Sequence, residues 1–513
     1  MAPWWKHAVI YQVYPRSFAD GNGDGVGDLA GVRSRLDHLS WLGVDAVWLS
    51  PIFRSPMADF GYDVSDYCDI DPVFGDLADF DALVADAHAA GVRVMLDWVP
   101  NHSSDQHPWF VESRSSRSSE KRDWYYWRDG SAGPPNNWLA VFGGDAWTWD
   151  EGTEQWYLHL FLPEQPDLNW GNPAVQEAMH DVLRFWLDRG VDGFRADVVH
   201  LIGKDPALPD LPDLPASRNN FTLVIAHDDP RTHPLLRGIR AVLDSYPGDR
   251  AMVGEVNLLR PDLLAPYYGT PAQPELNMVF NFGLLRAPWD AAVWARVVDA
   301  AERALAPVDG WPVWVLSNHD TPRHRSRYDG SEARARVAAV VLLTLRGTPF
   351  LYAGEELGLL DGVIGPEQRV DPGGRDGCRS PIPWDSSQAG FGWGPDPWLP
   401  FPPEAASRHP AALRSDPDSI LWLYRRLLSA RRASAALHDG SWRLLWDAPE
   451  GVLAYTRSSG DDERVVVANF GPSPVEGECV EGEWVVEVAT SRSLEGSAWS
   501  GRLGPESAVV LRR

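Results

Sequence analysis

Four stretches of the chain end in residues that can hold or hand over protons: Asp97-Trp98-Val99-Pro100-Asn101-His102, Gly193-Phe194-Arg195-Ala196-Asp197-Val198-Val199-His200, Gly254-Glu255-Val256 and Ser317-Asn318-His319-Asp320. Each follows a short apolar run that reads as a buried strand. Taken singly, Asp197, Glu255 or Asp320 is a solvated strand-end acid or a cap for the next helix. Together with Arg195, His102 and His319, on separate strands finishing at one rim, they outline an active site. Its chemistry would be proton transfer and charge stabilisation by carboxyl groups, with a guanidinium that keeps a neighbouring carboxylate ionised.

A second constellation is the loop Asp20-Gly21-Asn22-Gly23-Asp24-Gly25-Val26-Gly27-Asp28. Oxygen donors alternate with glycines, which lets a chain wrap a hard cation such as Ca²⁺. The spacing opens like an EF-hand, but the twelfth position is Gly31 rather than Glu, so that motif fails. The side chains of Asp20, Asn22, Asp24 and Asp28 and the Val26 carbonyl are the expected ligands; the alternative is an Asp/Gly-rich turn without metal.

The elements that must position these groups alternate for more than three hundred residues. Candidate strands are Ala8–Tyr14, Val44–Ser50, Val92–Trp98, Val191–Ala196, Ala251–Val256, Leu276–Phe282, Pro312–Ser317 and Thr348–Tyr352. Unbroken apolar runs such as VRVML and AMVGEV are what a parallel strand buried on both faces requires. Helices fall between them. The clearest begins at Asn172-Pro173, carries an apolar stripe through Val175, Met179, Val182, Leu183, Trp186 and Leu187, and ends at Gly190. Another spans about Asp416 to Arg432. This α/β pattern predicts a (β/α)₈ TIM barrel, with a doubly wound sheet as the competing layout.

The barrel would take residues 1–100 and 169–433, with a looser Gly/Pro/Asp-rich excursion at about 360–410. Residues 101–168 hold seven tryptophans and many Ser, Arg, Gly and Pro, too long for a loop, and read as an inserted domain. From 434 to 513, strand-like runs between turns predict a C-terminal antiparallel β-sandwich domain. The many tryptophans are expected to be packing residues.

Composition narrows the partners. The chain has 513 residues, 46 basic against 72 acidic, a formal charge of −26. That disfavours nucleic acid and anionic membrane, and suits a neutral small-molecule substrate. The cysteines Cys68, Cys378 and Cys479 form no CxxC pair, so a reducing compartment is expected. No secretory leader pattern and no membrane-length apolar run is visible, which makes cytoplasmic the expected location. Asn101-His102-Ser103 and Asn220-Phe221-Thr222 match a glycosylation pattern without meaning in a chain that is not exported.

In their order, the four rim segments resemble the conserved regions of the α-amylase superfamily, glycoside hydrolase family thirteen. Gln165-Pro166-Asp167-Leu168-Asn169-Trp170 resembles a further signature of its oligo-1,6-glucosidase and α-glucosidase branch. The likeness extends through GVDAVWLSPIF (43–53), GTPFLYAGEELG (347–358) and the terminal β-domain. Segment 227–250 is similar to bacterial α-glucosidases that favour maltose-type substrates.

The resemblance implies a retaining mechanism, with two carboxyl groups about 5–5.5 Å apart flanking the scissile bond. Asp197 matches the nucleophile, Glu255 the general acid/base and Asp320 the third carboxylate. Arg195, two residues before Asp197 on a strand, faces the same way and would hold it ionised. His102 and His319 resemble the histidines that bond hydroxyls of the reacting glucose, and Tyr62 would stack on its face. Asp59 and Arg379 resemble the pair that holds the non-reducing end, making the enzyme exo-acting. The Arg379 motif departs from the family at Ser380 and Ile382, where Thr and Met are common. The loop at 20–28 matches a structural Ca²⁺ or Mg²⁺ site of related α-glucosidases.

The expected function is therefore release of α-glucose from short α-glucosides, maltose and maltooligosaccharides favoured, by a monomer or homo-oligomer without organic cofactor. Val198 after the nucleophile resembles α-1,6-acting relatives instead. An α-1,6-specific oligo-1,6-glucosidase, or a glucosyl transferase or disaccharide isomerase, would use the same site. A non-catalytic relative, like the heavy subunits of amino-acid transporters, would lack the carboxylates that this chain has.

Overall fold

The computed structural model describes residues 2–130, 133–211, 228–387, 390–476 and 482–513. Asn220 and Cys479, and His227 at the start of segment 227–250, lie outside them.

Eight parallel strands form around the expected apolar runs: β1 (Ile10–Val13), β2 (Ala46–Leu49), β3 (Arg93–Trp98), β4 (Gly193–Ala196), β5 (Ala251–Gly254), β6 (Met278–Val279), β7 (Val313–Val315) and β8 (Thr348–Tyr352). β1 to β6 pair in sequence order, β7 pairs with β8, and β8 returns to β1 with Ile10 opposite Phe350. A parallel bridge between Asn281 and Trp314 brings the β6 and β7 segments together, so the sheet nearly closes on itself. A doubly wound sheet is thereby excluded.

Strand residues alternate between two cores, as the two-residue period demands. Ile10, Ala46, Trp48, Met95, Val253, Met278, Val315 and Phe350 fill the barrel interior. Tyr11, Val47, Leu49, Val94, Leu96 and Phe194 join the apolar layer beneath the helices. The inward face turns polar near the C-terminal ends of the strands, at Gln12, Asp97 and Arg195, all buried.

The helix at Asn172-Pro173 runs Pro173–Asp188, its first turn capped by the Asn172 side chain, which accepts from Ala174 N–H. The later one starts at Ile420 rather than near Asp416, because Ser419 supplies the cap, accepting from Trp422 N–H. Between β3 and β4 the chain adds a three-stranded antiparallel sheet of Trp127–Arg128, Gln155–Leu158 and Trp147–Asp150. The C-terminal part is a five-stranded antiparallel sheet. Leu453, Tyr455, Val466 and Val510 join the barrel's outer core, while Val452, Ala454, Val465 and Val509 build a small core with Trp484 and Leu503. No described helix is long and apolar enough to cross a membrane.

Candidate active site

Asp197 and Glu255 are the first residues past the ends of two adjacent strands. Asp197 N–H donates to Trp98 O on β3 (2.8 Å), and Glu255 N–H donates to Ala196 O on β4 (2.9 Å), so the backbone ladder fixes both. Arg195, inside the barrel and 3% exposed, bridges them. Its Nη1 donates to Asp197 Oδ1 (2.8 Å) and Asp97 Oδ1 (2.7 Å), and its Nη2 to Glu255 Oε2. Asn257 donates to the other Glu255 oxygen (2.9 Å). Val198, between Asp197 and the next turn, has φ 33°, a left-handed conformation that strains a β-branched residue. That turn puts Val198 in the wall of the cavity.

One guanidinium thus faces three buried carboxyl groups, and burial dominates the balance. It raises Asp197 well above the usual aspartate range. Arg195 opposes the shift, and Glu255, Asp97 and Asp320 add to it. Asp97 is raised in the same way, by burial first. Arg195 favours the ionised form of Asp197, as expected, but does not outweigh burial, so the carboxyl lies above rather than below its ordinary range.

A second group of acids faces a cavity of about 450 Å³ shared with Asp197 and Glu255. Asp59 is presented by a tight turn in which Phe60 and Gly61 both have positive φ (47° and 107°). The Asp63 carboxylate holds the turn by accepting from the N–H groups of Ala58 and Asp59. The same turn supplies Tyr62, whose ring stacks on His319 at 5.5 Å and whose hydroxyl donates to Asp97 (3.1 Å).

The partner of Asp59 differs from the expected one. Arg375 Nη2 donates to Asp59 Oδ1 at 2.5 Å, and its Nη1 to Asp320 Oδ1 at 2.9 Å. Arg379 is fully buried behind it, donating to Asp371 (3.1 Å), Asp320 (3.1 Å) and His319 O (2.8 Å). The two arginines are four residues apart in one motif, and the short helical turn Asp376–Arg379 aims only the first into the cavity. Burial pulls Asp320 upward, but His319, Arg375 and Arg379 outweigh it and hold its carboxyl well below the usual range. For Asp59, burial prevails over Arg375 and Arg379 and raises it.

His102 lines the cavity. His319 does not: Gln12 Nε2 donates to its Nδ1 (2.7 Å), leaving Nε2–H to face Tyr62 and Asp320. Burial lowers His102 to about 4 and His319 to about 3, so both are neutral imidazoles. Gln165 packs its amide against Asp59 (3.2 Å) and His102 (3.1 Å). Sequence reasoning missed Arg375, Gln165 and Asn257 as members of the site, although the first two stand inside the motifs that carry the resemblance. It also missed Phe142, Phe161, Phe282 and Arg286, which complete the wall and have no local pattern to mark them. Asn101, of the glycosylation pattern, is buried and accepts from Lys204 Nζ (2.8 Å).

In the loop at 20–28, backbone amides take the carboxylate oxygens. Asp20 accepts from Gly23, Gly25 and Gly394, Asp24 from Val26, and Asp28 from Gly21 and Gly31. Asp28 thereby caps the helix Leu29–Ser34. Among the described residues no three Asp, Glu, His or Cys side chains converge as a metal cage. The loop offers hard oxygen donors, but an ion would have to draw them together.

Residues 12–440 match the family model for the α-amylase catalytic domain. A "Probable alpha-glucosidase" of Rhizobium meliloti (strain 1021) is 45% identical over 91% of this chain and 89% of its own length. An "Oligo-1,6-glucosidase" of Parageobacillus thermoglucosidasius is 39% identical over 91% and 90%. Among solved structures, the alpha-glucosyl transfer enzyme XgtA superposes with a TM-score of 0.92 at 41% identity, covering both chains in full. The chain is an enzyme of the α-amylase family of glycoside hydrolases, in its α-glucosidase and oligo-1,6-glucosidase branch.

Proposed function

We propose that the protein is a retaining, exo-acting α-glucosidase that releases α-glucose from the non-reducing end of short α-glucosides, maltose and maltooligosaccharides foremost. The observation that carries this reading is one guanidinium, Arg195, holding Asp197 and Glu255 on adjacent strands at one cavity. A shared guanidinium favours the short separation that covalent catalysis needs over the wider one that admits a water between the acids.

In this reading Asp197 attacks the anomeric carbon and its oxygen becomes bonded to glucose. Glu255 gives its proton to the departing glycosidic oxygen, then takes one from the water that releases the sugar. Asp320, kept anionic, accepts sugar hydroxyls and steadies the positive charge that develops on the ring. Asp59 and Arg375 close the glucose end, which makes cleavage terminal, and neutral His102 bonds a hydroxyl. The first product would be α-glucose, visible as the α-anomer signal in proton NMR within the first seconds of turnover. A β-anomer would reject retention.

Bond choice and acceptor are the finer part. Val198 in the cavity wall favours the α-1,6 alternative, as does likeness to the oligo-1,6-glucosidase, whereas the 227–250 segment favours maltose. Likeness to an alpha-glucosyl transfer enzyme keeps transfer to a sugar hydroxyl as a second outcome of the same glucosyl-enzyme. Rates on maltose and isomaltose, with products followed at high maltose concentration, decide among the three. We also propose a structural Ca²⁺, or Mg²⁺, at Asp20, Asn22, Asp24, Asp28 and the Val26 carbonyl, remote from the reaction.

A further inference from the structure

At the end of the barrel opposite the active site, a cavity of about 200 Å³ opens where the first helix, Trp4–His7, meets the starts of β1 to β3 and the helix Ile420–Ala433. Three guanidiniums line it, those of Arg93, Arg431 and Arg432, with the imidazoles of His7 and His438. Asp45 is the sole carboxylate among the described residues of its wall. On a chain of net charge −26 this is an inversion of the prevailing sign.

The cations are also poorly compensated. Asp45 is already taken, accepting from Arg432 (2.8 Å) and from Val9 N–H (2.9 Å). The Arg93 side chain makes no hydrogen bond or ion pair among the described residues, and its guanidinium lies over the Trp4 ring at 4.9 Å. Arg431 is 1% exposed and donates to the carbonyl oxygens of Leu343 (3.1 Å), Leu345 (3.2 Å) and Gly347 (2.5 Å), while its buried Nε has no partner. Carbonyl oxygens satisfy hydrogen bonds without cancelling charge. The two imidazoles stack at 4.9 Å, nearly parallel, and His7 is held by Asp439 at 2.6 Å.

We propose that this cavity binds a phosphate dianion, free or carried as the monoester of a small polar molecule. Three guanidiniums against Asp45 in the wall and Asp439 beside His7 leave about one positive charge, and a phosphate of about −1.5 to −2 would draw on the two imidazoles for the rest. Forked guanidiniums and ring N–H groups are its natural donors. The space exceeds one phosphate group, and Trp4 offers an apolar wall for an attached moiety. Such a ligand would tie the terminal barrel helix to the strands it closes, stabilising the folded state by mass action.

Inorganic phosphate and glucose 6-phosphate, titrated separately into the full chain, test this by calorimetry and thermal melts, with glucose and ionic-strength-matched sodium chloride as controls. Saturable binding and a raised melting temperature are expected with the phosphates and not with the controls. The tighter of the two identifies the source as free phosphate or monoester. Arg93→Gln should weaken that binding about tenfold or more while leaving glucoside turnover at the wild-type level. If Arg93→Gln folds poorly, His438→Gln carries the same expectation. No saturable response to either phosphate overturns the proposal. So does a response that survives intact in both variants, which would put the anion elsewhere, for instance on Arg375.

Discussion

Two acid–arginine clusters meet at the candidate active-site cavity, and they behave in opposite ways. Around Arg195, a single guanidinium meets Asp97, Asp197 and Glu255, and burial drives Asp97 and Asp197 toward their neutral forms. Around Arg375 and Arg379, two guanidiniums meet Asp59, Asp320 and Asp371, and burial is overruled at Asp320 and Asp371, which stay anionic. The clusters also differ in depth: Asp97, Asp197 and Glu255 are all buried, whereas the Asp320 side chain is about one-third exposed to the cavity. Depth and the ratio of cations to carboxyl groups separate them together: the buried cluster with one cation is pushed toward its neutral forms, and the more open one with two cations keeps fixed charges to bind with. Asp59, raised by burial despite Arg375, marks how narrow the balance is.

The sharpest way to break the first cluster is Asp197→Asn, which removes the expected nucleophile and keeps its shape. Activity should fall about 10⁴-fold or more, measured as glucose released by purified protein. Breaking the second cluster should cost less. Arg375→Ala strips Asp59 of its direct ion partner and Asp320 of one of two, so kcat/KM should fall about 10²-fold, mostly through KM. The matched variant Arg379→Ala asks whether the sequence-expected pairing matters more than the observed one. A larger loss of substrate affinity there than in Arg375→Ala would reverse the assignment.

Much of this was readable from the residues. The eight strands lie in apolar runs because buried parallel strands leave no room for polar alternation; most expected ends overshoot by a residue or two, and the sixth, Leu276–Phe282, shrinks to Met278–Val279. That Asp197, Glu255 and Asp320 would line one cavity was readable because strand ends at one rim converge by construction. The Asp59 partner was not found, since choosing between Arg375 and Arg379 needs the path of an irregular segment that no periodicity describes. Nor was the state of Asp197, because its nearest cation is two residues away in sequence while Asp97 and Glu255 come from other strands. The aromatic wall from Phe142 and Phe161 depends on how the inserted segment folds back over the rim.

The clusters also predict opposite responses to pH. In the proposed mechanism Asp197 must lose its proton to attack, and burial raises the pH at which it does so. The acidic limb of the kcat/KM profile should therefore lie well above the ~3.9 of an ordinary aspartate. For stability the sign follows from proton count. Between the ordinary value and the raised one, the folded chain binds more protons than the unfolded chain at Asp97 and Asp197, so these groups cost stability as pH rises through that window. Asp320 works the other way: its contribution is present above the ordinary carboxylate range and is lost in strong acid. Asp197→Asn should consequently melt higher than wild type near pH 7, by roughly 2 °C, in the same samples that have lost activity. An unchanged or lowered melting temperature would mean that the lost bond to Arg195 outweighs relief of the buried charge.

The loop at 20–28 satisfies carboxylates by a third route, with backbone amides in place of guanidiniums. Amides donate without carrying net charge, so Asp20, Asp24 and Asp28 remain an acidic group that a divalent cation could still neutralise. If calcium fills that role, chelation should lower the melting temperature by about 2–5 °C and calcium should restore it, with kcat unchanged because residues 20–28 do not line the cavity. Asp24→Ala should abolish the response while keeping the Asp28 cap of the next helix. A melt indifferent to chelator and calcium would show that the amide bonds alone are enough to hold the turn. The cation count would then govern only those clusters that the barrel buries.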